Sequence, residues 1–110
     1  MFTYDCEITR VVDGDTCDVN IDLGFKISHK ARVRLHGINA PESRTRDKAE
    51  KYRGLQAKAR FKEIIRERDI RLISHDKGKY GRVLGEILIK SQHNDKWDSV
   101  NKILVHEGHA

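Results

Sequence analysis

Arg34 and Glu42 stand eight positions apart in Val33-Arg34-Leu35-His36-Gly37-Ile38-Asn39-Ala40-Pro41-Glu42, around a break made of glycine, asparagine and proline. Upstream, Val12-Asp13-Gly14-Asp15-Thr16 offers two carboxylates at a tight turn, and downstream Lys79-Tyr80-Gly81-Arg82 offers a second arginine. Acid oxygens for a hard metal, two guanidinium groups and one candidate base are the inventory for hydrolysing a phosphodiester. Attack of water on such an ester puts extra negative charge on the equatorial oxygens. A divalent cation and two guanidinium groups stabilise that charge more in the transition state than in the ground state. Arginine suits the work because its planar fork meets two oxygens at once. Glu42, aimed by the stiff backbone after Pro41, would orient or deprotonate the water. The carboxylates of Asp15 and Asp13, the amide oxygen of Asn39 and the backbone carbonyl of Ala40 form a mixed oxygen set of the kind that suits Ca²⁺. Each part alone has an ordinary explanation: Asp-Gly is a common hairpin turn, a loop glutamate is usually solvated, and the face shared by Arg32 and Arg34 is explained equally well as the outside of a barrel. The set, not any member, points to chemistry.

Other constellations fail on spacing. His106-Glu107-Gly108-His109 places its histidines three apart and is not the HExxH zinc motif, and Gly78-Lys79-Tyr80-Gly81-Arg82 lacks the spacing and hydroxyl residue of a P-loop. The six histidines are scattered and read as surface or loop residues. A formal net charge of +5 favours a polyanionic partner, because fixed positive charge raises both on-rate and non-specific affinity for phosphate backbones. The first residues, Met1 to Glu7, have neither the basic start nor the apolar run of a secretory signal, and no apolar segment is long enough to span a bilayer, so the expectation is a cytoplasmic protein without a membrane partner.

The elements that must position these residues follow from periodicity. At 110 residues a single domain, 1–110, is expected. Apolar and polar residues alternate from Tyr4 to Val12 and from Cys17 to Ile21, predicting two strands joined at Asp13-Gly14-Asp15-Thr16. Pairing across that turn sets Cys6 near Asp22 and Cys17 near Val11, which keeps the cysteines apart and predicts free thiols. After a turn at Leu23-Gly24, a long third strand is expected from Phe25 to Ile38, closed by Pro41. Ser43 to Arg53 reads as a mobile basic loop passing into a helix from about Leu55, with Ala57, Phe61, Ile64 and Ile65 on one face. Ile70 to Ile73 reads as a short strand, His75 to Lys79 as a turn, and Val83 to Ile89 as a fifth strand with Gly85 marking a bulge or a close approach. Gln92 to Asp98 reads as a loop, and Ser99 as the cap of a helix ended by Gly108. Five strands with a helix between the third and fourth, then a C-terminal helix, is the order of an OB-fold barrel in a mainly β, α+β protein.

With these motifs assembled, the chain resembles the staphylococcal nuclease-like (thermonuclease) family. Val12-Asp13-Gly14-Asp15-Thr16, Val33-Arg34-Leu35 through Pro41-Glu42, Tyr80-Gly81-Arg82 and Val100-Asn101-Lys102-Ile103-Leu104-Val105-His106-Glu107-Gly108 fall in that family's order and at similar separations. The resemblance implies a five-stranded OB barrel and Ca²⁺-dependent cleavage of DNA and RNA to 3′-phosphate products. It implies one ion, low sequence specificity, a preference for single strands and a monomer with no obligate protein partner. By position Asp15 is the principal metal carboxylate and Asp13 a nearby one, with Arg34 and Arg82 the phosphate-binding arginines and Glu42 the general base. Asn39 stands where the family usually has a second metal-binding aspartate, and Ala40 follows in place of threonine, which predicts weaker Ca²⁺ binding. The chain stops short of the family's tyrosine-bearing tail, leaving Tyr80 as the clearest nucleotide platform, with Lys77 and Lys79 as further substrate contacts. The competing expectation is an OB module that binds nucleic acid or a protein without cutting, for which Asn39 is the best indication.

Overall fold

A computed structural model describes residues 2–41, 43, 45–77, 83–91 and 94–109. Alternation in the first third of the chain becomes a meander of three antiparallel strands: β1 (Phe2–Asp13), β2 (Thr16–Asp22) and β3 (Ser28–Leu35). Helix α1 (Lys48–Ile65) follows, then β4 (Ile70–Lys77), β5 (Val83–Lys90), a three-residue β6 (Trp97–Ser99) and α2 (Val100–His106). β1 pairs with β4 and β4 with β5, both antiparallel, and β5 returns to pair in parallel with β3 through Val33↔Val83, Arg34↔Leu84 and Leu35↔Gly85. That last pairing closes five strands into the expected OB-type barrel, with β6 added along the outer edge of β5.

The barrel interior is filled by the inward-facing residues of the strands, Val19, Val33, Leu35, Leu72 and Ile87, with Phe61 of α1 and Leu104 of α2 laid over it. Burying each large apolar side chain contributes about 1.5–3 kcal/mol. Gly85 shows why a strand interior carries a glycine: a Cβ there would stand 2.6 Å from Leu72 Cδ1 and 2.9 Å from the Ile73 carbonyl. The close approach is therefore real, while the ladder's irregularity falls opposite, between Ser74 and Asp76 of β4.

Several boundaries differ from the sequence expectation, each for a local reason. The third strand begins at Ser28, because Gly24, Phe25 and Lys26 all adopt positive φ in the preceding turn, and it ends at Leu35, where Gly37 at φ 80° turns the chain before Pro41 is reached. Helix α1 starts at Lys48, well before Leu55. Asp47 caps it by accepting from the Ala49 and Glu50 amides, and its first turns bury no apolar side chain that periodicity could detect. His75 to Lys77 continue β4 rather than turning, and Trp97 to Ser99 form a strand instead of a loop. Cys6 faces Ile21, one position from the predicted Asp22, because a register shift between Ile8 and Arg10 absorbs a residue; Cys17 faces Val11 as predicted, and both thiols are free. Burial pushes the Cys6 thiol up to about 12 and raises that of Cys17 further, so neither is a nucleophile at neutral pH.

Candidate active site

The turn between β1 and β2 presses against both the end of β3 and helix α1. A Cβ on Gly14 would lie 2.6 Å from Ala57 Cβ and 3.0 Å from Ala40 Cβ, so only glycine lets the helix and the segment after β3 meet this turn. Asp15, next in the chain, is held by its backbone as well: its carbonyl accepts from the Leu35 amide at 2.8 Å. Sequence-distant parts of the chain are thereby fixed around one carboxylate.

That carboxylate is buried and heavily donated to. Oδ1 accepts from Thr16 Oγ1 at 3.0 Å, and Oδ2 accepts from the Ala40 amide at 3.0 Å. Arg34 completes the shell, with Nη1 2.9 Å from Asp15 Oδ2 in an ion pair whose side chains are 23% and 12% exposed. The distance is that of an ion pair but the angle is not that of a hydrogen bond, and Arg34 Nη1 has no hydrogen-bond partner among the described residues. Arg34 Nη2 donates to Asn39 Oδ1 at 3.2 Å. Asp15, Arg34, Asn39 and Ala40, singled out in the sequence, thus form one cluster. Asp13 is half-buried beside it, its carboxylate accepting a short hydrogen bond from the Ser43 hydroxyl.

Three supporting residues carry roles that motif reading left unassigned. Thr16 and Ser43 each spend a hydroxyl on a carboxylate, and a hydroxyl residue beside an Asp-Gly-Asp turn is the only signal that pointed to the first. Asn101, buried in α2, donates to the carbonyls of His36 at 2.9 Å and Gly85 at 3.1 Å and accepts from the Ile87 amide at 3.2 Å. It ties the chain just beyond β3, two residues from Arg34, to β5. Nothing in the helical periodicity distinguishes it. His36 and His75 are exposed, as expected of surface residues, and their rings stack at 4.6 Å.

Glu42, Lys79, Tyr80 and Arg82 lie outside the described residues, and so does the side chain of Lys77, whose backbone ends β4. Among the described residues no group of three or more His, Cys, Asp or Glu is arranged to hold a metal ion. The donors that the cluster presents are the Asp15 carboxylate and the Asn39 amide oxygen, with the Asp13 carboxylate two residues along; Ala40 meets Asp15 through its N–H rather than its carbonyl. Such a set fits a hard cation and not a soft one. The arrangement pairs an anionic oxygen site with an adjacent guanidinium of unspent donor capacity.

Comparison with known proteins gives the chain a family. Residues 32–110 match the family described as staphylococcal nuclease homologue, a span that contains Arg34, Asn39, Ala40, Glu42 and Arg82 and begins after Asp13 and Asp15. Over 107 residues the chain is 31% identical to Protein ParB of Escherichia coli, covering 94% of this chain and 54% of that protein. It is 30% identical over 107 residues to Micrococcal nuclease of Shigella flexneri, covering 94% and 55% respectively. The chain therefore spans about half the length of these relatives. No described helix is long and apolar enough to cross a membrane. On the barrel, the cluster at its end and the matched span together, this chain belongs to the staphylococcal nuclease family.

Proposed function

We propose that this protein is a nuclease that hydrolyses phosphodiester bonds of DNA and RNA, with little sequence selectivity and a preference for single strands, in a Ca²⁺-dependent reaction. The observation that carries the reading is the Arg34 guanidinium, held 2.9 Å from the Asp15 carboxylate and 3.2 Å from Asn39 Oδ1 while its side chain stays 23% exposed. A phosphate oxygen that meets the exposed part of that guanidinium keeps the charge pairing. The family, and a relative named as a nuclease, support the same class of chemistry.

Arg34 binds a non-bridging oxygen of the scissile phosphate and is pre-aimed by Asp15 and Asn39, so little reorganisation accompanies the build-up of charge. Arg82 is the second guanidinium and Glu42 the base that takes a proton from water as its oxygen bonds to phosphorus. The P–O5′ bond breaks, the leaving 5′-oxygen takes a proton from solvent and departs as a 5′-hydroxyl, and a 3′-phosphate is left. Tyr80 stacks on a base, with Lys77 and Lys79 against the backbone. Asp15, the Asn39 amide, the Ala40 carbonyl and nearby Asp13 are the residues that would hold Ca²⁺, which when bound adds positive charge beside the phosphate oxygens. The protein acts as a monomer in the cytoplasm in this reading.

The test is cleavage of single-stranded DNA with Ca²⁺, with Mg²⁺ and with EDTA, alongside Glu42→Ser and Arg82→Ala. Ca²⁺-dependent cutting lost in both variants is the expected result; DNA left intact under every metal removes the nuclease reading. A second reading, a binding module without catalysis, is favoured by Asn39, which accepts from Arg34 with a neutral oxygen where a carboxylate would add charge. Intact DNA under every metal with binding retained would favour that module; Asn39→Asp tests the metal site itself, because it tightens Ca²⁺ in calorimetry if this amide is a ligand. Unchanged affinity would remove Asn39 from the metal site.

A further inference from the structure

We propose that the groove between β1 and α1 is a second contact surface for the phosphate backbone, which holds single-stranded nucleic acid beyond the barrel-end cluster; the proposal rests on the nuclease reading. The groove encloses about 500 Å³, and Arg10, Lys58, Lys62 and Arg66 line it over a floor that includes Ile8 and Ile65, with no acidic residue among its walls. Lys58, Lys62 and Arg66 follow at four-residue spacing down one side of α1 and its C-cap, so they form a single stripe facing β1.

What separates this stripe from scattered surface charge is that its cations line one groove with Arg10 and that no carboxylate stands among the walls. Arg32, Arg34, Arg60 and Arg71, by contrast, each have a carboxylate within ion-pair distance. Among the described residues none of the four groove cations has an ion pair. Arg10 stands across the ladder from Asp18, but that carboxylate is already taken by two bonds from Arg32. The larger pocket of about 670 Å³ beside Trp97 makes the contrast, because there Asp5, Glu7 and Asp69 offset Arg68, Arg71 and Lys90. Like charges four apart on a helix, as Lys58 and Lys62 are, repel each other, and a bound polyanion relieves that repulsion.

The groove also leads to the cluster. Lys58 follows Ala57, the residue packed on Gly14 of the site turn, and β1 runs from Arg10 to Asp13 over about 10 Å. One strand of nucleic acid can therefore touch both. A membrane surface fits less well, since no aromatic residue or leucine is among those lining the groove.

The test is fluorescence anisotropy in EDTA over a range of salt, with labelled single-stranded DNA of about 6 and about 20 nucleotides, spanning the site sizes of OB folds. Wild type is compared with Lys58→Gln/Lys62→Gln/Arg66→Gln and with Lys26→Gln/Lys96→Gln/Lys102→Gln, which removes the same net charge from exposed positions elsewhere. The groove variant should weaken the long oligonucleotide at least tenfold and lower the salt slope by about 2, at about 0.7 per phosphate contact for single strands. Binding of the short one, and the far-UV circular dichroism, should not change. Equal losses in both variants, no loss in the groove variant, or loss of binding to phosphatidylserine vesicles with DNA binding intact would each overturn the proposal. A wild-type protein that binds through the groove but cuts nothing with any metal would instead overturn the nuclease reading on which it rests.

Discussion

Two aspartate–arginine pairs lie close together along β2 and β3, and they differ in what they leave over. Asp18 and Arg32 face each other across the ladder and make two bonds, at 2.8 and 3.3 Å, on an exposed face. Each exhausts the other's best geometry, and Arg32 holds the Asp18 carboxyl below the usual carboxylate range. Asp15 and Arg34, at the closed end of the barrel, are more buried and less well matched: the carboxylate is shared with Thr16 and Ala40, and the guanidinium is split between Asp15 and Asn39. A pair that satisfies itself is structure. A pair that leaves a buried donor over is prepared for a third party.

The comparison breaks most readily on activity. Arg34→Ala should lower kcat for single-stranded DNA by about 10²–10³-fold, the cost of one transition-state donor, whereas Arg32→Ala should leave it unchanged. A comparable fall in both variants would show that the surface pair, too, acts on the reaction. Stability sharpens the contrast: urea unfolding should find Asp15→Ala destabilised by about 1–3 kcal/mol, because buried donors lose their acceptor, and Asp18→Ala by only about 0.2–1 kcal/mol. Gly14→Ala belongs with the buried pair, since its methyl would overlap Ala57; a loss of about 1–3 kcal/mol is expected in the same assay, and an unperturbed midpoint would mean the turn is free to shift. The smallest effect is one of pH. The folded-state pKa of Asp18 is depressed, so its contribution is full above the ordinary aspartate range and fades as pH falls through the lowered value. Arg32→Gln should therefore cost a few tenths of a kcal/mol near neutrality and nothing in strong acid, read from urea midpoints at the two pH values.

Much of this was legible because it rests on short-range pattern. Two-residue alternation gave the meander, and Asp-Gly-Asp-Thr with the Arg34-to-Ala40 run gave the cluster as two short motifs, which the pairing of β2 with β3 brings together. The start of α1 was not legible, because Lys48 to Arg53 pack against nothing apolar and only the Asp47 cap announces them. β6 was hidden for a different reason. Three residues are too few to show a period, and Trp97 is accounted for by Arg71, whose guanidinium lies 4.2 Å from the ring centre. Asn101 could not be found at all from the chain alone, since its role depends on carbonyls contributed by β5 and by the turn after β3.

That asparagine also imposes an order in time. A chain growing from its N-terminus releases Asp15, Arg34 and Asn39 together, as one early stretch. The carbonyl of His36 waits for α2 before the amide of Asn101 can reach it, and the Ile87 amide waits with it. A chain halted after Ser99 thus holds the whole described cluster on a barrel whose end is not yet tied, and limited proteolysis should cut it more readily than a chain that includes α2. Rigidity at that end of the barrel therefore arrives later than the residues it holds in place.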